Sequence, residues 1–182
     1  QWQDENIWDF IDISVNPSDP LEYAVASYSE KPLTIFYTDT VEVFDNTNSS
    51  LSFTEIGNGW SLASDVCFDT QDNLWVLNGY TEQPLNVRMQ DGSWKNFDCG
   101  SSARNIYTKK MIVDFNDNIW FASENHGMFG YNHNNTIDNS NDDAIVHIYT
   151  GVNSGNLPSA NVTALAADFD GEIWVGTDAG FA

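Results

Sequence analysis

The chain has 182 residues, 41% of them apolar and 14% aromatic, and 27 acidic side chains stand against 6 basic ones for a formal net charge of −21. That length suits one ordinary domain, and the aromatic content argues against disorder. So acidic a surface repels phosphate, which excludes nucleic acid as a natural partner and disfavours an anionic bilayer, and no run of 18 apolar residues offers a helical span.

Gln1–Asn6 shows neither the basic start nor the apolar stretch of a secretory signal. A short apolar strand follows at Phe10–Val15, then a turn rich in Asn, Pro and Asp, then strands at Leu21–Ala26, Leu33–Tyr37 and Val41–Phe44. The same grammar recurs at Ser64–Phe68, Leu74–Leu77, Asn86–Met89 and Trp94–Phe97. It recurs again at Thr108–Val113, Ile119–Ala122, Met128–Tyr131 and Val146–Tyr149. A last copy opens with Val162–Ala167 and Ile173–Gly176 and stops just after its second strand. No apolar pattern of helical period interrupts the series.

In three copies an Asp precedes a Trp by six residues: Asp69 and Trp75, Asp114 and Trp120, Asp168 and Trp174. Asn16 opens a weaker fourth copy with Tyr23 in the Trp place and one extra residue. The anchors Asn16, Asp69, Asp114 and Asp168 lie 53, 45 and 54 residues apart. Four short antiparallel strands at such a period make a propeller blade, apolar on both faces and buried only by its neighbours. The expected fold is all-β: a partial β-propeller of about three and a half four-stranded blades, with repeats near 7–60, 61–104, 105–160 and 161–182 of a single domain 1–182. The Asp closes the hairpin turn, and the Trp fills the seam between blades. The open blade edges invite association with another chain.

Two insertions break the rhythm: the polar stretch Asn134–Asp143, expected to be a mobile loop, and the long link from Asp45 to Trp60. Cys67 and Cys99 make no disulfide framework, and a free buried thiol is expected at Cys67.

Val162–Phe181, with Asp168, Gly171, Trp174, Gly176-Thr177 and Gly180, resembles the two-component-regulator propeller repeat. Asp69–Gly79 and Asp114–Gly127 are looser copies. A second series resembles the propeller region of PorZ-like proteins of the type IX secretion system: Ile13–Pro20, Ala26–Tyr28, Asn46–Leu51, Phe68–Trp75, Pro84–Val87 and Asp91–Trp94. The resemblance implies a periplasmic or cell-surface, outer-membrane-associated component of Bacteroidetes that meets secreted cargo and lipopolysaccharide. It supplies no catalytic motif.

The residues add candidates of their own. Loops at the corner between second and third strands share one propeller face, where Trp60, Tyr80, Glu82, Arg104, Glu124, Asn125 and His126, joined by Asn161 and Asp178, mix aromatic rings with amides and carboxylates suited to stacking on sugars. The Asp-rich turns resemble calcium loops but lack the later acids and flanking helices, so a carboxylate-capped β-turn is expected, with calcium at the Asp138–Asp143 loop as the alternative. His126, His133 and His147 offer no converging zinc set, and no nucleophile elbow, phosphate loop or dinucleotide fingerprint occurs. The expectation is a non-catalytic binding module without cofactor or metal, which recognises protein partners or lipopolysaccharide. A sensor segment of a hybrid two-component system that binds oligosaccharide, and a fragment of a propeller lyase or glycoside-active enzyme, are the alternatives.

Overall fold

The computed structural model describes residues 7–54, 56 and 59–182. The first blade holds β1 (Phe10–Val15), β2 (Tyr23–Ser29), β3 (Leu33–Phe36) and β4 (Val41–Phe44). The second holds β5 (Ser61–Phe68), β6 (Leu74–Gly79), β7 (Leu85–Arg88) and β8 (Trp94–Phe97). The third holds β9 (Thr108–Val113), β10 (Ile119–Ser123), β11 (Met128–Asn132) and β12 (Ala144–Ile148). The last holds β13 (Val162–Ala167), β14 (Ile173–Thr177) and β15 (Gly180–Phe181). Consecutive strands pair antiparallel within each group, as the partial propeller expected from the sequence requires. The expected stop after the second strand of the last blade is corrected: Thr177, Asp178 and Ala179 turn the chain back, and Gly180–Phe181 pairs with Gly176–Thr177. The first two blades are also stitched together, because the end of β2 pairs with the start of β5 at Tyr28↔Leu62 and Ser29↔Ser61.

Side-chain alternation places the core in the seams. In β6, Leu74 and Val76 point toward the first blade and pack with Ala24, Leu33, Ile35 and Phe44. Trp75 and Leu77 point the other way and pack with Met111, Phe121, Phe129 and Tyr131 of the third blade. A period of two, buried on both faces, produces this two-sided strand, and all of β6 is buried. The seam between the third and last blades is smaller, with Ala122, Met128, Leu157, Val162 and Val175.

The repeated Asp and Trp are one device. Asp69 Oδ1 accepts the backbone N–H groups of Gln71 and Asn73, while Oδ2 accepts Trp75 Nε1–H at 2.9 Å. Asp114 does the same for Asn116, Asn118 and Trp120 Nε1, and Asp168 for Asp170, Glu172 and Trp174 Nε1. The tight turn needs a left-handed residue, supplied by Asp72 (φ 62°), Asp117 (φ 57°) and Gly171 (φ 86°).

The first copy departs from the expectation. β1 pairs with β2 as Val15↔Tyr23 and Ser14↔Ala24, whereas β5 pairs with β6 as Phe68↔Leu74 and Cys67↔Trp75. Ala24, not Tyr23, therefore occupies the Trp place, and the turn between is two residues longer. With no indole to receive, the turn carries Asn16, whose amide donates to Glu22 Oε2 at 2.8 Å.

The Asn134–Asp143 loop is tethered rather than free. Lys95 Nζ pairs with Asp138 at 2.7 Å and donates to the Ile137 carbonyl, Ile137 packs on the core, and Asp143 accepts the Tyr131 hydroxyl at 2.6 Å. Both cysteines are free thiols: Cys99 is buried, and burial pushes the partly covered Cys67 thiol up to about 11.

Candidate binding face

Strand polarity brings the residues after each second strand and before each first strand to one face. Tyr28 lies in the last turn of chain of β2, and Tyr80, Glu124 and Asp178 follow β6, β10 and β14. Asp9, Trp60, Tyr107 and Asn161 precede β1, β5, β9 and β13. The Tyr80 and Tyr107 rings stack 5.6 Å apart, inclined by 14°. Trp60 meets Tyr28 edge-on at 5.2 Å and Trp8 edge-on at 4.3 Å. Tyr28, Tyr80 and Tyr107, with Asp9 and Thr54, bound a cavity of about 280 Å³. Two of these residues hold left-handed backbone, Asp9 at φ 57° and Tyr80 at φ 56°, a conformation uncommon for a bulky side chain. Hydrogen bonds from Tyr80 N–H to the Ile106 carbonyl and from Tyr28 N–H to the Asp9 carbonyl fix them there. Burial, then the charge of Glu124 and the neighbouring Tyr107 and Tyr28, raises the Tyr80 phenol above its ordinary value.

A polar chain continues the face toward the last blade. Lys109 Nζ lies 3.5 Å from Glu124 and 3.1 Å from Asn161 Oδ1, and Asn161 donates to Asp178 at 3.1 Å. Hydrogen bonds from Ser159 and Asn161 hold the Asp178 carboxyl below its usual range.

Of the residues picked from the sequence, Tyr80 lines the cavity, Trp60 backs Tyr28, and Glu124 sits beside Lys109. Arg104 is exposed and bonded to Asp98, with Glu82 adding only a weaker field. Asn125 and His126 occupy the exposed β10–β11 loop, where the His126 carbonyl is 2.7 Å from His147 Nε2. Sequence reasoning missed Tyr28, Tyr107 and Asp9. The signal was positional: Tyr107 and Asp9 stand where Trp60 does, just before a first strand. Among the described residues no group of three or more His, Cys, Asp or Glu is placed to hold a metal ion.

A second titratable cluster lies on the innermost strands. Lys110 Nζ of β9 stands 3.2 Å from both Asp12 of β1 and Asp65 of β5, and Asp65 also accepts Met111 N–H at 3.1 Å. Burial, then the hydrogen bond and charge of Asp12, pushes the Asp65 carboxyl up to about 7 against the pull of Lys110.

These features define a partial β-propeller with an aromatic cup on one face. Residues 156–179 match the model of the two component regulator propeller family. The propeller is similar to that of PorZ, an essential bacterial surface component of the type IX secretion system of Porphyromonas gingivalis, with TM-score 0.80 and 21% identity over 94% of this chain and 24% of PorZ. It is also similar to the extracellular domain of the putative hybrid two-component system BT3049 of B. thetaiotaomicron (TM-score 0.62, 14% identity, 94% of this chain, 21% of that one). Virginiamycin B lyase of Staphylococcus aureus shares the fold at TM-score 0.63 and 10% identity over 96% of this chain and 54% of the enzyme. The chain thus spans about a quarter or less of PorZ and of BT3049. Comparison with curated protein sequences finds no match. The resemblance to the regulator-propeller and PorZ-like group read from the sequence is borne out.

Proposed function

We propose that the chain is a non-catalytic binding module of an extracytoplasmic, PorZ-like surface protein, and that a protein partner docks on the face carrying Tyr28, Trp60, Tyr80 and Tyr107. The observation that carries this reading is the aromatic cup. Rings fixed at rigid strand ends give large contact area with little side-chain entropy to lose. Glu124 lies near enough for its charge to act on Tyr80, and we assign Glu82, Arg104, Asn125 and His126 to the polar surroundings of the face. The net charge of −21 favours a partner with basic groups over the phosphates of lipopolysaccharide. The likeness to PorZ supports a place at the cell surface, in the periplasm or on the outer membrane, and the apolar residues left open at both ends of the blade series support association with further chains.

The match over 156–179 favours a second reading, the sensor segment of a hybrid two-component system that binds oligosaccharide. Calorimetry with purified secretion-system proteins, lipopolysaccharide and oligosaccharides separates the readings. Under the first, a protein partner binds and Trp60→Ala or Tyr80→Ala weakens it by about tenfold or more. Binding untouched by either change removes this face. Polysaccharide turnover abolished by a single carboxylate substitution removes the non-catalytic reading.

A further inference from the structure

We propose that the cavity between Tyr28, Tyr80, Tyr107 and Asp9 takes a single lysine or arginine side chain of a protein partner. This rests on the docking face proposed above and names its anchor. The size fits: about 280 Å³ lies just below the roughly 300–1,000 Å³ of ordinary small-molecule sites, which is room for one side chain and too little for an oligosaccharide. The walls fit as well. Three half-buried phenol rings line it, Tyr80 and Tyr107 stacked on one another, and aromatic rings attract a cation, while Ile11 and Leu62 offer apolar surface to its methylene stem.

Charge completes the match. Among the described residues no cation pairs with the Asp9 carboxylate. The basic groups of the neighbouring strands and loops are already engaged: Lys109 with Glu124, Lys110 with Asp12 and Asp65, and Arg104 with Asp98. Asp9 and three tyrosines thus line the cavity, and among the described residues the Asp9 carboxylate has no paired cation, on a molecule whose overall field draws in basic partners.

The test titrates the 182-residue chain with the capped pentapeptide Gly-Gly-Arg-Gly-Gly and its lysine and norleucine counterparts, at about 0.15 M salt. Tyrosine-ring NMR shifts report the site and calorimetry the affinity. The arginine and lysine peptides should shift Tyr28, Tyr80 and Tyr107, and norleucine should not. Asp9→Asn, which tolerates the left-handed backbone and sits on the surface, should weaken binding roughly tenfold. Tyr107→Phe should retain binding and Tyr107→Leu should lose it. Equal binding of norleucine, or binding unchanged in Asp9→Asn, overturns the proposal. So does peptide binding without ring shifts, which would mark diffuse attraction to the acidic surface. If maltohexaose shifts the three rings while the basic peptides do not, this anchor fails and the oligosaccharide reading takes its place. If the basic peptides leave the rings unmoved while a purified secretion-system protein binds and Tyr80→Ala weakens it, the docking face stands and this anchor fails; if that protein binds equally to Tyr80→Ala and Trp60→Ala, both fail.

Discussion

Asp69 accepts four hydrogen bonds, from Gln71 N–H, Asn73 N–H, Asn73 Nδ2 and Trp75 Nε1. Two of them shape the turn and one orients the indole, so the carboxylate couples hairpin geometry to seam packing. Its value depends on what lies beyond the ring. Trp75 is fully buried against Phe97 and Tyr131, whereas Trp174 is 47% exposed. Trp75→Ala should therefore cost about 3–5 kcal/mol in urea unfolding, and Trp174→Ala only about 1 kcal/mol. Equal losses at the two positions would show that the ring's neighbours do not set its contribution. The motif repeats the residue and not its surroundings, so a shared Asp and Trp spacing does not imply a shared cost. At Asp168, hydrogen bonds from Trp174 and the Glu172 N–H hold the carboxyl below its usual range; at Asp114, burial opposes the shift but the Trp120 and Asn118 donors outweigh it. Both carboxyls are depressed on folding, so their contribution is present above the unfolded carboxylate pKa near 3.9 and is lost as pH falls through the folded value.

Strands meet across blades with little ladder pairing, and side chains fill that role on the innermost strands. Ser64 and Thr108 hydroxyls join β5 to β9 at 2.6 Å, and the Asp12–Lys110–Asp65 cluster joins β1, β5 and β9. The raised Asp65 carboxyl gives this cluster a sign. Unfolded, it loses its proton near pH 4; folded, it keeps it to about pH 7. Between those values the folded chain binds more protons, so stability should fall as pH rises from 4 to 7, on the order of 2–4 kcal/mol from this group. Urea unfolding of Asp65→Asn should show a flatter profile over that window; an identical profile would exclude Asp65 as its source. The third blade makes a steric prediction. Gly130 lies between Trp120 and Val146 in register, and a Cβ there would stand 2.6 Å from the Trp120 ring and 2.8 Å from Val146. The indole lies across the glycine, so Gly130→Ala should cost roughly 1–3 kcal/mol, read as a lowered Tm. Element type and strand order were legible because period-two runs and Asp/Gly turns recur. The register of the first copy was not: two extra turn residues moved Ala24 into the Trp place, and an alanine carries no signal that could mark it.

At the scale of the molecule, the seams shrink toward the last blade, and both ends present apolar surface. Phe10, Ile13 and Val15 of β1 are 60%, 60% and 52% exposed, and Phe181 of β15 is 77% exposed. The candidate face was partly legible for a related reason. Trp60 and Tyr80 stand out as aromatics in polar loops, while Tyr28 and Tyr107 border apolar strands and read as part of them. Only the propeller's curvature brings those four rings together. Among the described residues, the same curvature leaves one face of β1 and one face of the last blade exposed, while their other faces pack on neighbouring strands. The like charge of a molecule at −21 opposes contact between copies, but salt at about 0.1 M confines that repulsion to roughly 10 Å, while burial of apolar rings acts at contact. Light scattering should therefore show a mass that rises with protein concentration and rises further with added salt. Ile13→Glu and Phe181→Glu, both at exposed positions, should each reduce it while leaving the circular dichroism of the strands unchanged. A constant monomer mass across concentration and salt would mean that these two surfaces are too small, or too far from complementary, to hold a second chain.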